Sequence, residues 1–291
     1  MVLNKAKRNP QPAHRARMKT ATRVLVYAWL FIAMFITLFP LLWILSTSLK
    51  GEAEVYRWPP TLIPDSPNFD AYSKIWALKN FSRFFWNSTV VASISTLFSV
   101  VLACLAGYGF SRFKFRGSNF LQFMFLVTQM VPAILLLLPY FILMKQLSLL
   151  NTYTSLVLAY TSFSLPFCTW MLKGFFDSIP AELDDAAMID GCSRFQILIR
   201  VVMPLALPGV AATAVFSFLV AWNHYLFAMG LATDPAMYTL PVGISSTIGE
   251  FRIQWNELMA GAVIASFPAI LVYSYLERFF VQGLTAGAVK G

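Results

Sequence analysis

The chain has 291 residues, of which 58% are hydrophobic and only 12% charged, and its mean hydropathy is +0.66. That balance excludes a soluble globular domain of ordinary composition and indicates an integral membrane protein. The formal charge of +9 calls for no nucleic acid partner, because basic residues gathered on cytoplasmic loops produce such an excess in membrane proteins.

Residues 1–23 carry Lys5, Lys7, Arg8, Arg15, Arg17, Lys19 and Arg23 and no acid. The apolar run that follows is too long for a signal peptide and lacks a small-residue cleavage site, so this segment reads as a retained, basic cytoplasmic tail. The first uncharged run is 24–49, long enough to cross a bilayer as a helix, which takes about 20 apolar residues. Further runs follow at 84–111, 117–144, 146–172, 201–233 and 258–276. The pattern predicts an all-α membrane protein with six transmembrane helices over 24–282 and a short tail over 283–291. Six spans put both termini on one side of the bilayer. With the termini in the cytoplasm, fifteen Lys and Arg lie inside and seven outside, the bias expected of that orientation.

Two outside segments are long. Residues 51–83 contain Pro59, Pro60, Pro64 and Pro67, and 234–257 contain Pro235, Pro241, Gly243 and Gly249. The first predicts an ordered loop with short helices; contact with an external partner and plain connection are both open for each. Cys104, Cys168 and Cys192 are unclustered and read as small core residues.

No phosphate-binding glycine loop, HExxH motif or Cys/His cluster is present, so neither a catalytic centre nor a metal site is expected. None of the six runs carries Asp, Glu, Lys or Arg across its centre. A charge there costs about 2.5–3.5 kcal/mol and is retained for function, so this pattern argues against coupling to an ion gradient. The polar residues left in the runs are neutral: Gln129, Ser162, Ser164, Asn223 and His224. Phe216, Val220, Asn223 and Phe227 share one helical stripe, with Phe218, Trp222 and Tyr225 on a neighbouring one. Aromatic rings beside a neutral amide suit a sugar, which makes Gln129, Trp222, Asn223 and Tyr225 candidates for a substrate path. Packing between helices is the other ordinary use of such residues, and His224 reads as a packing residue.

Between the fourth and fifth runs lies a polar, amphipathic stretch over 179–208, within a cytoplasmic loop of about 176–206. Pro180 can open a first short helix, and Glu182, Asp184 and Asp185 complement the positive end of its dipole. Gly191 can close it in the left-handed conformation. Ser193 and Gln196 have capping-box spacing for a second helix, whose apolar stripe would be Phe195, Leu198, Ile199 and Val202 and which Pro204 would end.

The run Asp185, Ala186, Ala187, then Asp190 and Gly191, then Met203 and Pro204 resembles the EAA loop of binding-protein-dependent ABC importer permeases. Aspartate stands at position 185 where that family usually has glutamate. Ser48-Leu49-Lys50, Asn87-Ser88, Gly107-Tyr108, Ser111-Arg112-Phe113, Ala221-Trp222-Asn223 and the terminus 283–291 extend the likeness to the carbohydrate branch, and to the second permease of the maltose importer. The resemblance implies a type I importer permease fold and import of a sugar by alternating access, with no enzymatic activity in this chain. It implies a heterodimer with a second permease, two ATPase subunits that hold ATP and Mg, an extracytoplasmic binding protein, and a bacterial inner-membrane location. Glu182, Asp184, Asp185, Ala186, Ala187, Asp190, Gly191 and Pro204 would couple to the ATPase, and Val289, Lys290 and Gly291 would also touch it. A permease for another solute class and an ion-driven carrier are the alternatives.

Overall fold

The computed structural model describes residues 13–77, 80–246, 248 and 253–288, the side chains of 13–21 and 278–288 excepted. The first twelve residues of the basic tail and Val289, Lys290 and Gly291 therefore lie outside the described residues. Among the described residues the regular structure is all helical. In chain order come α1 (Ala13–Ser48), the short α2 (Glu52–Val55) and α3 (Asp70–Ala77), α4 (Phe81–Arg112), α5 (Ser118–Thr128), α6 (Ala133–Gln146) and α7 (Tyr153–Asp177). Then follow α8 (Glu182–Ile189), α9 (Arg194–Ile197), a π-helical turn (Leu198–Val202), α10 (Met203–Leu205), α11 (Leu207–Trp222), α12 (Leu226–Leu231), α13 (Leu240–Ser245) and α14 (Trp255–Ala288).

Four of these helices, α1, α4, α7 and α14, are long and apolar enough to cross a membrane unbroken. The third run is instead a pair, α5 and α6, bent by 98°. Pro132 explains the break: it withholds an N–H and drives Val131 out of the helical region. The run expected over 201–233 is also broken. α9 to α10 meet α11 at 85°, so the span proper starts at Leu207, with Pro208 in the first turn of α11. It stops again at Trp222, because Asn223 turns its side-chain amide onto the Leu219 carbonyl (2.9 Å) beside its own backbone N–H. The helical stripe expected through Asn223 to Phe227 is therefore interrupted. Counting each bent pair as one span restores six.

α4 runs along α7 and α11, α11 along α14, and α1 along α14. Two apolar clusters fill the bundle. One gathers Ile75, Phe81, Trp222, Phe227 and Leu240; the other gathers Cys104, Tyr108, Cys168, Phe176, Ile197 and Val202 towards α8. Between them three buried serines join three helices, with Ser99 Oγ 2.7 Å from Ser164 Oγ and Ser217 Oγ donating to Ser164 Oγ at 3.3 Å. Small hydroxyl residues allow the close approach of helices that have no hydrophobic drive to associate inside a bilayer. α1 exposes its apolar side chains from Val24 to Phe39, as a helix with lipid for solvent does.

At the end opposite α8, the proline-rich segment is an ordered loop that carries α2 and α3, as its sequence predicts. Lys50 is buried: its ammonium donates to the Thr61 carbonyl and lies 5.0 Å from the centre of the Trp43 ring. Its four-carbon stem makes such burial feasible.

Candidate functional site

The polar stretch after α7 folds as a bent helix pair at one end of the bundle. α8 starts with Glu182, Asp184 and Asp185 in its first turn. It closes on Gly191, whose φ is +83°. The Gly191 N–H donates to the Met188 carbonyl (3.0 Å) and the Cys192 N–H to the Ala187 carbonyl (2.9 Å), the paired bonds of a Schellman ending. The capping box forms in full: Ser193 Oγ accepts from the Gln196 N–H (3.3 Å) and Gln196 Oε1 accepts from the Ser193 N–H (2.8 Å).

Beyond the capping box the structure departs from the predicted periodicity. Ile197, Leu198 and Val202 are buried, whereas Phe195 and Ile199 are exposed. The π turn over Leu198–Val202 adds a residue to the turn and rotates the apolar face out of a 3.6-residue register. The same wide turn accommodates the ring of Pro204, so the helix runs past that proline and ends after Leu205.

α8 presents two faces. Asp184 and Ala187 are buried against the bundle, with Met188 half-buried beside them. Glu182, Leu183, Asp185, Ala186 and Ile189 face outward, as do Asp190, Gly191 and Pro204. Ile189 is 87% and Phe195 61% exposed, so an apolar patch accompanies the outward acids. Phe195 and Ile199, placed by the sequence on the stripe of the second helix, are thus on the outward side, and Ile189 was not singled out from the sequence; its apolar character outside any membrane run was the available signal.

The side chains expected along a substrate path divide between the bundle surface and its core. Gln129 sits at the α5–α6 break, exposed, its amide donating to the Phe163 carbonyl (3.1 Å). Asn223 and Tyr225 lie exposed at the break after α11, with Tyr225 Oη 3.4 Å from Ser245 Oγ. Trp222 is in the core: its ring stacks on Phe218, meets Phe85 edge-on and donates its N–H to the Ala265 carbonyl (3.0 Å). Residues missed by the sequence reading join the two breaks. Phe163 contacts His224 (5.8 Å between ring centres) and Phe227 (4.8 Å), while Tyr140 stacks on Phe163 and shares a hydrogen bond of 2.5 Å with Ser162. His224 stacks on Tyr160 at 4.8 Å, consistent with packing. Broken helices at membrane depth are tolerated where the freed backbone is buried in protein or lines a watered cavity.

Comparison with known proteins agrees with this architecture. Residues 99–286 match the family described as "Binding-protein-dependent transport system inner membrane component". The chain is 42% identical over 255 residues to the sulfoquinovosyl glycerol transport system permease of Agrobacterium fabrum, covering 87% of this chain and 89% of that one. It is 36% identical over 275 residues to an inner membrane ABC transporter permease of Escherichia coli, covering 94% and 98% of the two chains. With the trehalose/maltose transport system permease of Thermococcus litoralis the identity is 32% over 278 residues, covering 94% and 99%. Among solved structures, a bacterial ABC transporter involved in import of the acidic polysaccharide alginate shares the fold, with a TM-score of 0.78 at 23% identity, covering 94% of this chain and all of that one. An all-helical bundle with charge-free spans and two bent ones, matched in sequence along nearly its whole length, places the chain in one family: it belongs to the inner membrane components of binding-protein-dependent ABC transport systems.

Proposed function

We propose that this chain pairs with a second, homologous permease to enclose the translocation path for a sugar or oligosaccharide, and that α8 is the coupling helix on which the ATPase subunits act. The observation that carries the coupling role is the outward face of α8 and α9. It combines Glu182, Asp185 and Asp190 with the apolar Ile189 and Phe195 on a closely capped elbow. Such a surface fits a groove with apolar walls and a basic rim. Asp184 faces inward, so Asp185 and Glu182 are the acids available to the ATPase. ATP and Mg belong to those partner subunits, and free energy enters through this elbow because the spans carry no central charge.

The sugar assignment is supported by relatives whose substrates are a sulfoquinovosyl glycerol and trehalose or maltose. Gln129, Asn223 and Tyr225, exposed at the helix breaks, would line the path, with Trp222 supporting the second break from the core. Both termini and α8 would lie in the cytoplasm, and the loops bearing α2, α3 and α13 would face the binding protein. The terminal Val289, Lys290 and Gly291 would reach the ATPase subunits, in which case removing 284–291 lowers transport.

Reconstitution with the second permease, the ATPase subunits and the binding protein tests the reading. Expected is sugar uptake that needs ATP and survives collapse of ion gradients. Uptake lost on collapsing the gradient at constant ATP would favour an ion-driven carrier and overturn it.

A further inference from the structure

We propose that Arg112 and Asp184 are positioning residues that lock the coupling helix α8 to α4, so that a displacement imposed on α8 carries α4 with it. The proposal rests on the coupling role given to α8 above.

Arg112 is the last residue of α4, and its side chain is only 8% exposed. Nε donates to Asp184 Oδ2 on α8 at 3.1 Å. Nη1 donates to the Phe176 carbonyl and Nη2 to the Ile179 carbonyl, each at 3.0 Å. These two acceptors belong to the end of α7 and the connection to α8; the Phe176 carbonyl also accepts the Ile179 N–H at 3.1 Å. One turn back on α4, Tyr108 donates its hydroxyl to the same Asp184 oxygen at 2.9 Å. One guanidinium thus ties three consecutive parts of the structure together. Its planar fork reaches three directions at once, which a lysine ammonium on the same stem does not reproduce.

Asp184 is 3% exposed, and its Oδ1 has no hydrogen-bond partner. The carboxylate takes its hydrogen bonds from Arg112 and Tyr108, and loss of Arg112 removes its ion-pair partner while leaving it buried. Without the lock, α8 would be held to the bundle by the short connection over 178–181 and by the packing of Ala187 and Met188. The adjacent acids Asp184 and Asp185 accordingly have different tasks: one holds the elbow to the bundle and the other meets the ATPase.

The test uses the assembled transporter, with spin labels at Leu105→Cys on α4 and Leu183→Cys on α8 after Cys104, Cys168 and Cys192 are replaced by serine. Both label sites are exposed. Arg112→Ala is expected to at least double the width of the interlabel distance distribution and to lower sugar transported per ATP hydrolysed at least tenfold. The ATPase subunits should still co-purify. Arg112→Lys should fall between, because the charge stays while the carbonyl bonds are lost. A distribution and coupling ratio unchanged by Arg112→Ala would overturn the proposal. If that variant does not assemble, Asp184→Asn and Tyr108→Phe, which keep side-chain shape, take its place: broadening supports the lock, and parental width in both overturns it. Absence of ATP-dependent uptake by the parent complex would instead count against the import reading itself.

Discussion

Gly209 lies against the ring of Phe175 so closely that a β-carbon on it would stand 2.3 Å from Cγ. The first turn of α11 thus crosses the last turns of α7 by direct contact of backbone with ring, just where the 85° bend after α10 delivers the chain into the bundle. Gly209→Ala forces the ring or the backbone aside, and overpacking of this kind costs about 1–3 kcal/mol. The expected outcome is a lower thermal midpoint of the purified complex, and Phe175→Leu should recover part of the loss by vacating the contact.

Gly191 is constrained by conformation instead of space, since nothing lies within 4 Å of the position a β-carbon would take. Its φ of +83° costs an ordinary residue about 1–2 kcal/mol and a β-branched one more. Gly191→Val should therefore open the Schellman ending and reorient α9 relative to α8. The expected result is ATP hydrolysis that no longer responds to the loaded binding protein, with the chain still inserted in the membrane. Gly191→Asn, whose side chain tolerates the left-handed region, should keep at least half of parental uptake.

Gly191 and the Ser193/Gln196 box were legible in the sequence because each is specified by a few adjacent residues. The four unbroken spans were legible because length and apolarity suffice for them. The exposure of Phe195 was not, since a π turn changes the register and no residue pattern announces it, whereas the break at Ala206 falls between Pro204 and Pro208, which mark it in the sequence. Pro204 suggested an ending; a wider turn absorbs its missing N–H, and the helix continues to Leu205. The inward turn of Asp184 was hidden for another reason. Its partner Arg112 is 72 residues away, and only tertiary packing brings the two together.

The outward apolar patch yields a prediction separate from the acids. Ile189 is exposed, so Ile189→Asp should leave the stability of the isolated permease unchanged. Burying an isoleucine in a partner's groove contributes about 1.5–3 kcal/mol, which corresponds to roughly a 10- to 100-fold change in affinity. The expected outcome is a loss of that order in ATPase-subunit binding, measured by titrating those subunits onto the purified permease. Binding as tight as the parent's would place Ile189 outside the contact.

Trp222 and Asn223 are neighbours in sequence, yet the structure gives them different surroundings, and mutation should separate their roles. Trp222 is buried, and its indole N–H is satisfied by the Ala265 carbonyl on α14. Trp222→Phe keeps most of the stacking on Phe218 but loses the bond to α14. The loss should amount to about 0.6–1.7 kcal/mol of stability, the range for hydrogen bonds between membrane helices, with the KM for sugar unchanged. Asn223 is exposed, and its amide nitrogen reaches only the Leu219 carbonyl of its own helix, which the Asn223 backbone N–H also serves. Asn223→Ala should therefore barely move the thermal midpoint while raising the KM several-fold, as removal of a substrate hydrogen bond does. Gln129→Ala should raise the KM and also lower stability slightly, since its amide bonds the Phe163 carbonyl beside the α5–α6 break. Uptake kinetics and thermal unfolding on the same three variants decide between path and packing. A KM raised by Trp222→Phe and left unchanged by Asn223→Ala would place the path on the other side of α11.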